Sequence, residues 1–557
     1  MRNKSENEEG KKYKRIWFLG NIVTIILLLL IIRLYLIQIV DGDKYSELTQ
    51  RQYQYRVNHV SSRGTIYDRN MQPLTNVEDT TLLFVDNSMI NDQVQESMKH
   101  IAEEDLEILG ENQGTRYRIL RVNDQDHEAM SNLLASYFTY PLQLYKRYYD
   151  YQPAAHIIGY VNQWDNKGAV GLEKSFESIL NSSQPEIYAT VDGVNNIIPG
   201  LGFQVNNVSQ PNRSIVTTLD IKIQKKIEEI LKENNQKGSA IVLEAGSGDI
   251  LACANYPAYN PNRISLYLES DNEELFNRAV QVGYPPGSIF KIVVAAAALE
   301  SGIVDEETSF FCKGYEEIND VKIKCTSYKR GGHGSLNLEG AFCHSCNAAF
   351  IQLGIQTGSE AILEMSKKFG VGNKTGIRLD EEYVGNLPTA DEVKGAGIGN
   401  LSVGQGELLV TPLQIARLTA IIANNGIDYG INLVQTIIDH NDTTTDISNK
   451  IHQRMISRDT AEILGQYMKK TVEEGTADNL GKIFSWEAAG KTGSAQSVYK
   501  NKEVTHAWFT GYIPYQNPEY IITVFMEDGK SGRQAAVPVC KKIVEALYNE
   551  HYKEPVD

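Results

Sequence analysis

The sequence lacks an excess of positive charge, an internal repeat and any low-complexity stretch. Its 557 residues carry a formal net charge of −16 at pH 7, which argues against nucleic acid as a partner because phosphates attract basic surfaces. Hydrophobic residues make up 42% of the chain, so we expect a large folded core rather than disorder. Cysteine is also sparse, with six residues, yet four of them fall between positions 312 and 346.

One long apolar run lies near the N-terminus. Residues 16–40, IWFLGNIVTIILLLLIIRLYLIQIV, are enough to cross a bilayer, and a basic cluster at 11–15 precedes them. The run is too long for a cleavable signal peptide, and no small-residue cleavage site follows it. Because basic flanks stay in the cytoplasm, we predict a single-pass membrane anchor, a cytoplasmic tail over 1–15 and an extracytoplasmic remainder. No second membrane segment follows.

Beyond the anchor, the hydrophobic pattern predicts an α+β fold. TTLLFVD indicates a strand and DQVQESMKHIAEE an amphipathic helix, and a polar stretch at 206–214 marks a boundary. SAIVLEAGSGDILACANY (239–256) indicates a hairpin, and TPLQIARLTAIIAN (411–424) a helix. Three strands close the chain, in WEAAGKTGSAQSV, HAWFTGYI and YIITVFME. This order predicts an antiparallel sheet packed against helices.

The stretch YPPGSIFKIVVAAAALESG (284–302) places a serine and a lysine three residues apart at the start of an apolar helix. Residues at this spacing share a helix face, so Ser288 and Lys291 should point the same way. Burial disfavours the ammonium form and makes the lysine a proton acceptor for a serine nucleophile. A lone serine-x-x-lysine is usually chance, and the apolar setting is what raises its weight.

Two further short motifs follow in order. SCN, from Ser345 to Asn347, lies between a glycine-rich loop and an apolar helical run. KTG, from Lys491 to Gly493, lies in a predicted strand, where the glycine leaves room for a ligand backbone alongside. Each triplet is a weak signal alone, whereas the three motifs in this order are specific.

With these motifs, the chain resembles the penicillin-interacting serine enzymes. The resemblance extends to class B, monofunctional high-molecular-weight penicillin-binding proteins of the elongation or sporulation branch. It is carried by five further segments: RGTIYDRN, AAHIIGYVNQWDNKGAVGLEKSFE, TTLDIKIQ, LFNRAVQVGYPPGS and SVGQGELLVTPLQIA. It covers nearly all of residues 16–545. It implies a membrane anchor at 16–40, an elongated mixed α/β pedestal of the dimerisation type at 41–212 and a transpeptidase domain at 213–557.

The resemblance implies a peptidoglycan D,D-transpeptidase that works through a serine acyl-enzyme. Ser288 would attack the carbonyl between the two terminal D-alanines of a stem peptide, with neutral Lys291 accepting its proton. Ser345 would relay a proton to the leaving D-alanine, and Asn347 would hold the lysine and the substrate. A neighbouring stem would supply the accepting amine, and a β-lactam would imitate the D-alanyl-D-alanine end and stay attached.

The far wall of the implied site belongs to the KTG motif. Lys491, charged, would attract the terminal carboxylate of the substrate with help from the Thr492 hydroxyl, and Gly493 completes the triplet. The backbone N–H groups of Ser288 and Ser494 would form the oxyanion hole.

Four other functions compete with this activity. A β-lactamase would need an activated water, and no E-x-x-L-N element lies between Ser345 and Lys491. A membrane β-lactam sensor should carry several membrane segments, and a bifunctional class A enzyme needs more chain before residue 210. Intact motifs argue against a catalytically dead scaffold.

The resemblance also implies a membrane partner. Class B proteins do not polymerise glycan, so they work beside a polytopic glycosyltransferase of the SEDS class. We place this contact at Arg33 and at the surface near Arg63–Asn70. The alternative for RGTIYDRN is packing within its own domain, which is at least as plausible for Arg63 and Asp68 because buried charges are normally paired.

The cysteines allow three interpretations. A Cys312–Cys325 disulfide is the default outside the cytoplasm, and simple core packing is the second. The third is a structural zinc of the Cys₃His type. Some elongation-type relatives carry such a zinc, and the resemblance implies the ligands Cys312, Cys325, His333 and Cys346, with Cys343 spare. Cys346 should then face away from the cleft that its neighbours line.

Overall fold

The structure is a computed structural model. It describes residues 2–42, 45, 54–57, 63–86, 117–122, 139–162, 166–181, 186–190, 192, 198, 203–206, 213–439, 441–483, 485–499 and 502–551. The helix predicted in DQVQESMKHIAEE and most of the polar boundary at 206–214 lie outside these residues.

The described chain forms helices of very different lengths and many strands. The strands are β1 (Gln54–Val57), β2 (Ile66–Tyr67), β3 (Glu78–Asp86), β4 (Tyr117–Val122), β5 (Thr139–Lys146), β6 (Glu186–Thr190), β7 (Phe203–Asn206), β8 (Ser214–Thr217), β9 (Gly238–Glu244), β10 (Ile250–Tyr256), β11 (Ser309–Cys312), β12 (Tyr315–Ile318), β13 (Val321–Lys324), β14 (Gly334–Asn337), β15 (Ile427–Asp428), β16 (Val434–Ile438), β17 (Thr444–Asp446), β18 (Gln453–Arg454), β19 (Ala489–Tyr499), β20 (Lys502–Ile513) and β21 (Tyr520–Met526). The helices are α1 (Arg2–Tyr35), α2 (Ala155–Ile158), α3 (Gly171–Ser175), α4 (Glu177–Leu180), α5 (Ile221–Asn234), α6 (Lys291–Glu300), α7 (Leu338–Cys343), α8 (Asn347–Thr357), α9 (Ser359–Lys368), α10 (Gly397–Ser402), α11 (Pro412–Ala423), α12 (Arg458–Glu473) and α13 (Val537–His551).

The chain divides into two compact units that interleave along the sequence. One comprises residues 1–60, 81–142 and 185–209, and the other comprises 61–80, 143–184 and 210–557. Two parts of the segment predicted as pedestal therefore belong to the same compact unit as the C-terminal domain.

The first unit contains the apolar helix and most of two small sheets. Helix α1 continues into a π-helical turn at Leu36–Val40, and Trp17–Val40 is long and apolar enough to cross a membrane, with a mean hydropathy of 2.7. The two sheets have the strand orders β1-β6-β7 and β4-β3-β5. Strand β3 contains TTLLFVD, which confirms the predicted strand.

A five-stranded sheet with the order β10-β9-β21-β20-β19 forms the centre of the second unit. All its pairs are antiparallel, and the predicted hairpin at 239–256 and the three C-terminal strands are confirmed. Alternate residues of β9 enter two hydrophobic cores, with Ile241 and Leu243 in one and Ala240 and Val242 in the other. The sheet is thus buried on both faces between helices, and β19 is its edge strand.

Helices α5 and α13 cover one face of the sheet, and α11 covers the other. Helix α11 begins with a capping box of Thr411 and Gln414 and has Pro412 in its first turn, which confirms the helix predicted at 411–424. Helix α6 lies in the core against α8, α9 and α12, and every residue from Lys291 to Ala298 is buried. The helix is apolar because no side of it meets water.

Candidate active site

The predicted nucleophile lies on a tight turn wedged against the sheet. Residues Gly287–Phe290 form a 3₁₀ turn, so the α-helix begins at Lys291, two residues later than the apolar run suggested. A Cβ on Gly287, whose φ is +55°, would lie 2.6 Å from the carbonyl oxygen of Ser494. On the other side, the Gly287 N–H donates to the Gly404 carbonyl at 2.9 Å. The turn before Ser288 is therefore fixed by backbone contacts that only glycine permits.

Lys291 is completely buried and is held by the second motif. Its Nζ donates to the Ser345 carbonyl at 2.8 Å, to Ser345 Oγ at 3.1 Å and to Asn347 Oδ1 at 2.8 Å. Within the described residues, Ser288 Oγ is not among its hydrogen-bond partners. Burial lowers the pKa of Lys291 to about 8, although the Cys346 and Cys325 thiols act in the opposite direction. This amine can therefore lose its proton near neutral pH.

The SCN triplet is shaped by an unusual backbone conformation. Ser345 has a φ of +54°, and helix α8 begins immediately after Cys346. This turn presents both the carbonyl and the hydroxyl of Ser345 to the lysine. Asn347 is engaged at both ends of its amide, since its Nδ2 donates to the Lys324 carbonyl at 3.1 Å. The triplet thus connects the buried amine to the hairpin formed by β12 and β13.

The KTG triplet lies on the edge strand β19 and contributes a second buried amine. Lys491 is fully buried, its Nζ donates to the Thr492 carbonyl at 3.3 Å, and it lies 5.5 Å from the centre of the Phe342 ring. Burial and, secondarily, the charge of Lys291 lower the pKa of Lys491 well below its ordinary value. A substrate carboxylate arriving here would stabilise the protonated form.

Gly493 leaves room for the chain's own backbone on one face of β19. A Cβ at this position would lie 2.9 Å from the Pro286 carbonyl oxygen and 3.1 Å from both Ile289 and Trp508. The chain's own nucleophile turn therefore packs where a side chain of residue 493 would lie, while the outer edge of β19 is unpaired among the described strands. Gly493 allows the turn and the strand to pack closely.

Sequence reasoning missed Thr476 and the packing role of Trp508. Thr476 Oγ1 lies 2.5 Å from Thr492 Oγ1, and its N–H donates to the Cys343 carbonyl at 3.3 Å, so it links the KTG and SCN segments. Trp508 donates from Nε1 to the Pro285 carbonyl at 3.1 Å and supports the nucleophile turn from β20. Neither residue has a local spacing to a motif, and no sequence signal could have found them.

The structure brings together the four residues predicted as metal ligands. The donor atoms of Cys312, Cys325, His333 and Cys346 all lie within 4.8 Å of one another. Cys346 Sγ is 3.8 Å from Cys325 Sγ, and His333 Nδ1 is 3.5 Å from Cys325 Sγ. The hydrogen bond between the Cys325 and Cys346 thiols lowers the pKa of Cys325 and raises the pKa of Cys346. Three thiols and one imidazole at these distances suit a tetrahedral zinc.

The other three cysteines, Cys253, Cys343 and Cys540, are buried outside the cluster. Cys343, which we predicted to be spare, points away and donates from Sγ to the Tyr467 carbonyl at 3.7 Å. All six cysteines are free in the structure, including the Cys312 and Cys325 that we had considered as a disulfide. As expected, Cys346 faces the cysteine cluster while its neighbours Ser345 and Asn347 face Lys291.

The family model described as the penicillin binding protein transpeptidase domain matches residues 238–545, and that of the penicillin-binding protein dimerisation domain matches residues 58–202. The chain belongs to the penicillin-binding proteins. It is a class B penicillin-binding transpeptidase of the elongation/division type.

The relatives agree with this class. The chain is 27% identical to the peptidoglycan D,D-transpeptidase MrdA of Haemophilus influenzae over 93% of this chain and 89% of that protein. A solved peptidoglycan synthase complex that coordinates polymerization and crosslinking contains a chain with 25% identity and a TM-score of 0.71, covering 98% of this chain and 99% of the other. The penicillin-binding protein PBP2 of Helicobacter pylori, solved in complex with MreC, shows the same fold with a TM-score of 0.68 and 24% sequence identity. The match covers 90% of this chain and 99% of the PBP2 chain.

In this penicillin-binding protein, RGTIYDRN packs largely inside its own unit. Arg63 is buried and pairs with Glu173 at 2.9 Å and with Glu177 at 2.7 Å. Asp68 is fully buried and accepts N–H groups from Asn70 and from Gln72, each at 2.8 Å. Arg63 and Asp68 are thus unavailable to a partner, in accord with the alternative of intradomain packing.

Proposed function

We propose that Ser288 is the acylated nucleophile of this peptidoglycan D,D-transpeptidase, with Lys291 as its base. The observation that carries the assignment is the buried amine of Lys291. It is held by Ser345 and Asn347, and no carboxylate pairs with it among the described residues. Burial without a counter-charge shifts the equilibrium of a lysine toward its neutral form, which is the form that can accept a proton.

In the acylation step, Ser288 Oγ attacks the carbonyl carbon of the penultimate D-alanine, and its proton passes to Lys291 Nζ. The carbonyl π electrons move to the oxygen, where the N–H groups of Ser288 and Ser494 stabilise the negative charge. When the carbonyl re-forms, the C–N bond breaks, and the leaving D-alanine takes a proton through Ser345 Oγ, which is 3.1 Å from Lys291 Nζ. The acyl-enzyme is an ester on Ser288.

The open edge of β19 supports the placement of the donor peptide. Among the described strands, β19 pairs only with β20, so its outer edge can pair with an extended peptide. Lys491 and Thr492 lie on this strand and would bind the terminal carboxylate. In the second step an amine of a neighbouring stem attacks the ester carbon, gives up a proton and releases Ser288. A β-lactam would form the same ester and stay attached.

Labelling with a fluorescent penicillin tests the nucleophile. The full chain should take one label, a mapped adduct should lie on Ser288, and Ser288→Ala should take none. Ser301→Ala, at the other end of the same helix, is the matched control and should label normally. A label on any other residue, or labelling that persists in Ser288→Ala, would contradict the assignment.

We also propose that Cys312, Cys325, His333 and Cys346 hold a structural zinc. The distances within this cluster support the proposal, as does its donor set of three thiols and one imidazole, which is typical of structural zinc sites. Bound zinc would cross-link β11, the loop after β13 and the start of α8. The residues on either side of Cys346 would then keep their positions against Lys291 without any metal contact to substrate.

Metal analysis of the full chain, purified under reducing conditions, tests the zinc site. We expect one zinc per chain, loss of zinc in Cys325→Ser and retention in the control Cys343→Ser. Chelation should lower the melting temperature of the unchanged protein and leave that of Cys325→Ser unaltered. Absence of stoichiometric zinc, or a mapped Cys312–Cys325 disulfide in active protein, would contradict the proposal.

The anchor and its partner form the third part of the proposal. Trp17–Val40 would span the membrane, with the N-terminus in the cytoplasm and the catalytic unit outside, and a SEDS-class glycosyltransferase would contact the anchor and pedestal. The similarity to a chain of a peptidoglycan synthase complex supports this partner. Reporter fusions at both termini test the orientation. Co-purification that survives exchange of both anchor and pedestal would contradict the contact.

A further inference from the structure

The hairpin of β12 and β13 has one packed face and one open face. Ile318 and Ile323 approach the position of Gly399, where a Cβ would lie 2.8 Å and 2.7 Å from their Cδ1 atoms, and Ile351 of α8 lies on the same side. Tyr315 is directly opposite Lys324 in register, and residues opposite each other share a face. Because side chains alternate along a strand, this second face points away from the apolar contacts.

The open face carries lysines around two tyrosine rings, and we call it the lysine–tyrosine face. It consists of Lys313, Tyr315, Lys322, Lys324 and Tyr328. Lys322 Nζ lies 4.2 Å and Lys313 Nζ 4.7 Å from the centre of the Tyr315 ring. Lys324 Nζ lies 5.0 Å from the centre of the Tyr328 ring, and the two rings meet edge to face. The rings thus hold three cations together on one surface.

These cations have no acidic partner. Over the described part of the chain, none of the three lysines forms an ion pair with a carboxylate, although the whole protein carries a net charge of −16. Glu317 lies opposite Lys322 in register and reduces the local charge without pairing. Glu316, on the packed side of the hairpin, accepts instead from Gln352 at 2.6 Å. A positive surface on an acidic protein is therefore available to an anionic ligand.

The lysine–tyrosine face borders the catalytic residues. The Lys324 carbonyl accepts from Asn347 Nδ2 at 3.1 Å, and Asn347 Oδ1 accepts from Lys291 Nζ at 2.8 Å. The backbone of Lys324 is consequently separated from the proposed base by one asparagine side chain. KTG, by contrast, belongs to β19, on a different element of the unit.

We propose that the lysine–tyrosine face binds the acceptor stem peptide through a carboxylate of that peptide. This inference rests on the proposed function, because transpeptidation brings two stem peptides to one serine. Lys491 and Thr492 are assigned to the carboxylate of the donor, which leaves with the released D-alanine. The acceptor ends in a carboxylate of its own and needs a cation outside that subsite. Lys322 and Lys324 supply it on the hairpin whose backbone contacts Asn347, and the tyrosine rings offer flat apolar contact area.

A matched pair of acceptor peptides tests this assignment. The full chain is acylated with a thioester analogue of the donor, and transfer is measured to a synthetic stem peptide ending in a carboxylate or in a carboxamide. The unchanged protein should favour the carboxylate, and this preference should fall as salt rises. In Lys322→Ala/Lys324→Ala, the half-saturating concentration of the carboxylate acceptor should rise about tenfold, with the carboxamide acceptor little changed. Lys225→Ala is the control, since Lys225 also lies over a tyrosine ring, at 5.2 Å, but on α5.

The outcomes separate this inference from the proposed function. Normal penicillin labelling of Ser288 in the double variant, together with a lost carboxylate preference, supports the acceptor site. Equal use of both acceptors by the unchanged protein, or an unaltered preference in the double variant, overturns it, and an anionic polymer or acidic protein would then be the ligand. Reduced labelling in the double variant also overturns it, because the hairpin would then merely support Asn347. Failure of the unchanged protein to label at Ser288 would instead refute the proposed function.

Discussion

Two regions of the second unit contain buried charged residues in opposite environments. Around Arg63, every charge has a partner: Glu173 accepts from Arg63 at 2.9 Å, from Arg147 at 2.7 Å and from the Tyr148 hydroxyl at 2.9 Å. Around Lys291, the partners are a carbonyl, a hydroxyl and an amide, and no carboxylate is present among the described residues.

The difference separates a structural use of burial from a chemical one. A paired buried charge keeps its ionisation state, and its loss leaves the partner stranded. An unpaired buried amine has its pKa lowered, to about 8 for Lys291, and becomes a base. Mutations around Arg63 should therefore lower the stability of the fold, whereas mutations around Lys291 should lower the rate of acylation.

The largest effect is expected for Lys291→Ala. Acylation of Ser288 by a labelled penicillin should fall about a thousandfold, since the hydroxyl loses its base. The melting temperature should be maintained, because the variant removes a buried amine rather than one half of an ion pair. Loss of acylation together with a large fall in melting temperature would show that the two regions do not differ in this way.

Glu173→Gln should show the reverse pattern. The variant leaves Arg63 and Arg147 without their shared charge, and the free energy of unfolding should drop by about 3 kcal/mol. Urea unfolding measures this, with the exposed Glu229→Gln as the control, whose partner Lys226 lies at the surface. Folded Glu173→Gln protein should acylate at the normal rate. Unchanged stability would show that this cluster is not the structural counterpart we describe.

The pH dependence of acylation should follow the Lys291 pKa of about 8. Burial lowers this pKa, so the neutral base accumulates as pH rises through it and is lost as pH falls. At about one pH unit below the pKa, the acylation rate should be about a tenth of its plateau. A rate that declines with rising pH across this range would mean that Lys291 acts in its charged form.

The smallest of these effects is expected for Thr476→Val. Removing the hydroxyl that contacts Thr492 at 2.5 Å should lower acylation efficiency about fivefold, the value of one hydrogen bond. Thr419→Val serves as the control for a buried hydroxyl elsewhere, because Thr419 contacts Thr510 on the sheet. Equal acylation by Thr476→Val and the unchanged protein would remove Thr476 from the positioning of KTG.

The sequence allowed the prediction of those parts of the site that depend on short spacings. Ser288 and Lys291 lie within one turn, SCN precedes an apolar helix, and the last two strands are rich in apolar residues that are buried on both faces, so local structure followed from local pattern. The four clustered donors from Cys312 to Cys346 were also predicted, but through resemblance to a family rather than from the physics of the spacing.

Long-range contacts could not be predicted in this way. Arg63 and Glu173 are 110 residues apart, and nothing in either segment specifies the other. Gly493 was interpreted from its own strand, whereas the lack of room for a side chain there comes from Pro286 and Trp508, which are distant in sequence. The interleaving of residues 61–80 and 143–184 with the C-terminal unit is likewise a tertiary property that a linear boundary signal does not contain.

The wedged position of Gly287 also limits how the protein can change under antibiotic selection. Its positive φ, the Ser494 carbonyl at 2.6 Å from a would-be Cβ and the hydrogen bond to Gly404 leave no tolerated side chain before the nucleophile. Substitutions that reduce β-lactam acylation must therefore arise at positions surrounding this turn rather than in its backbone. Among natural variants of this enzyme, we expect Gly287 to be unchanged and substitutions to occur mainly at the residues that line the approach to Ser288.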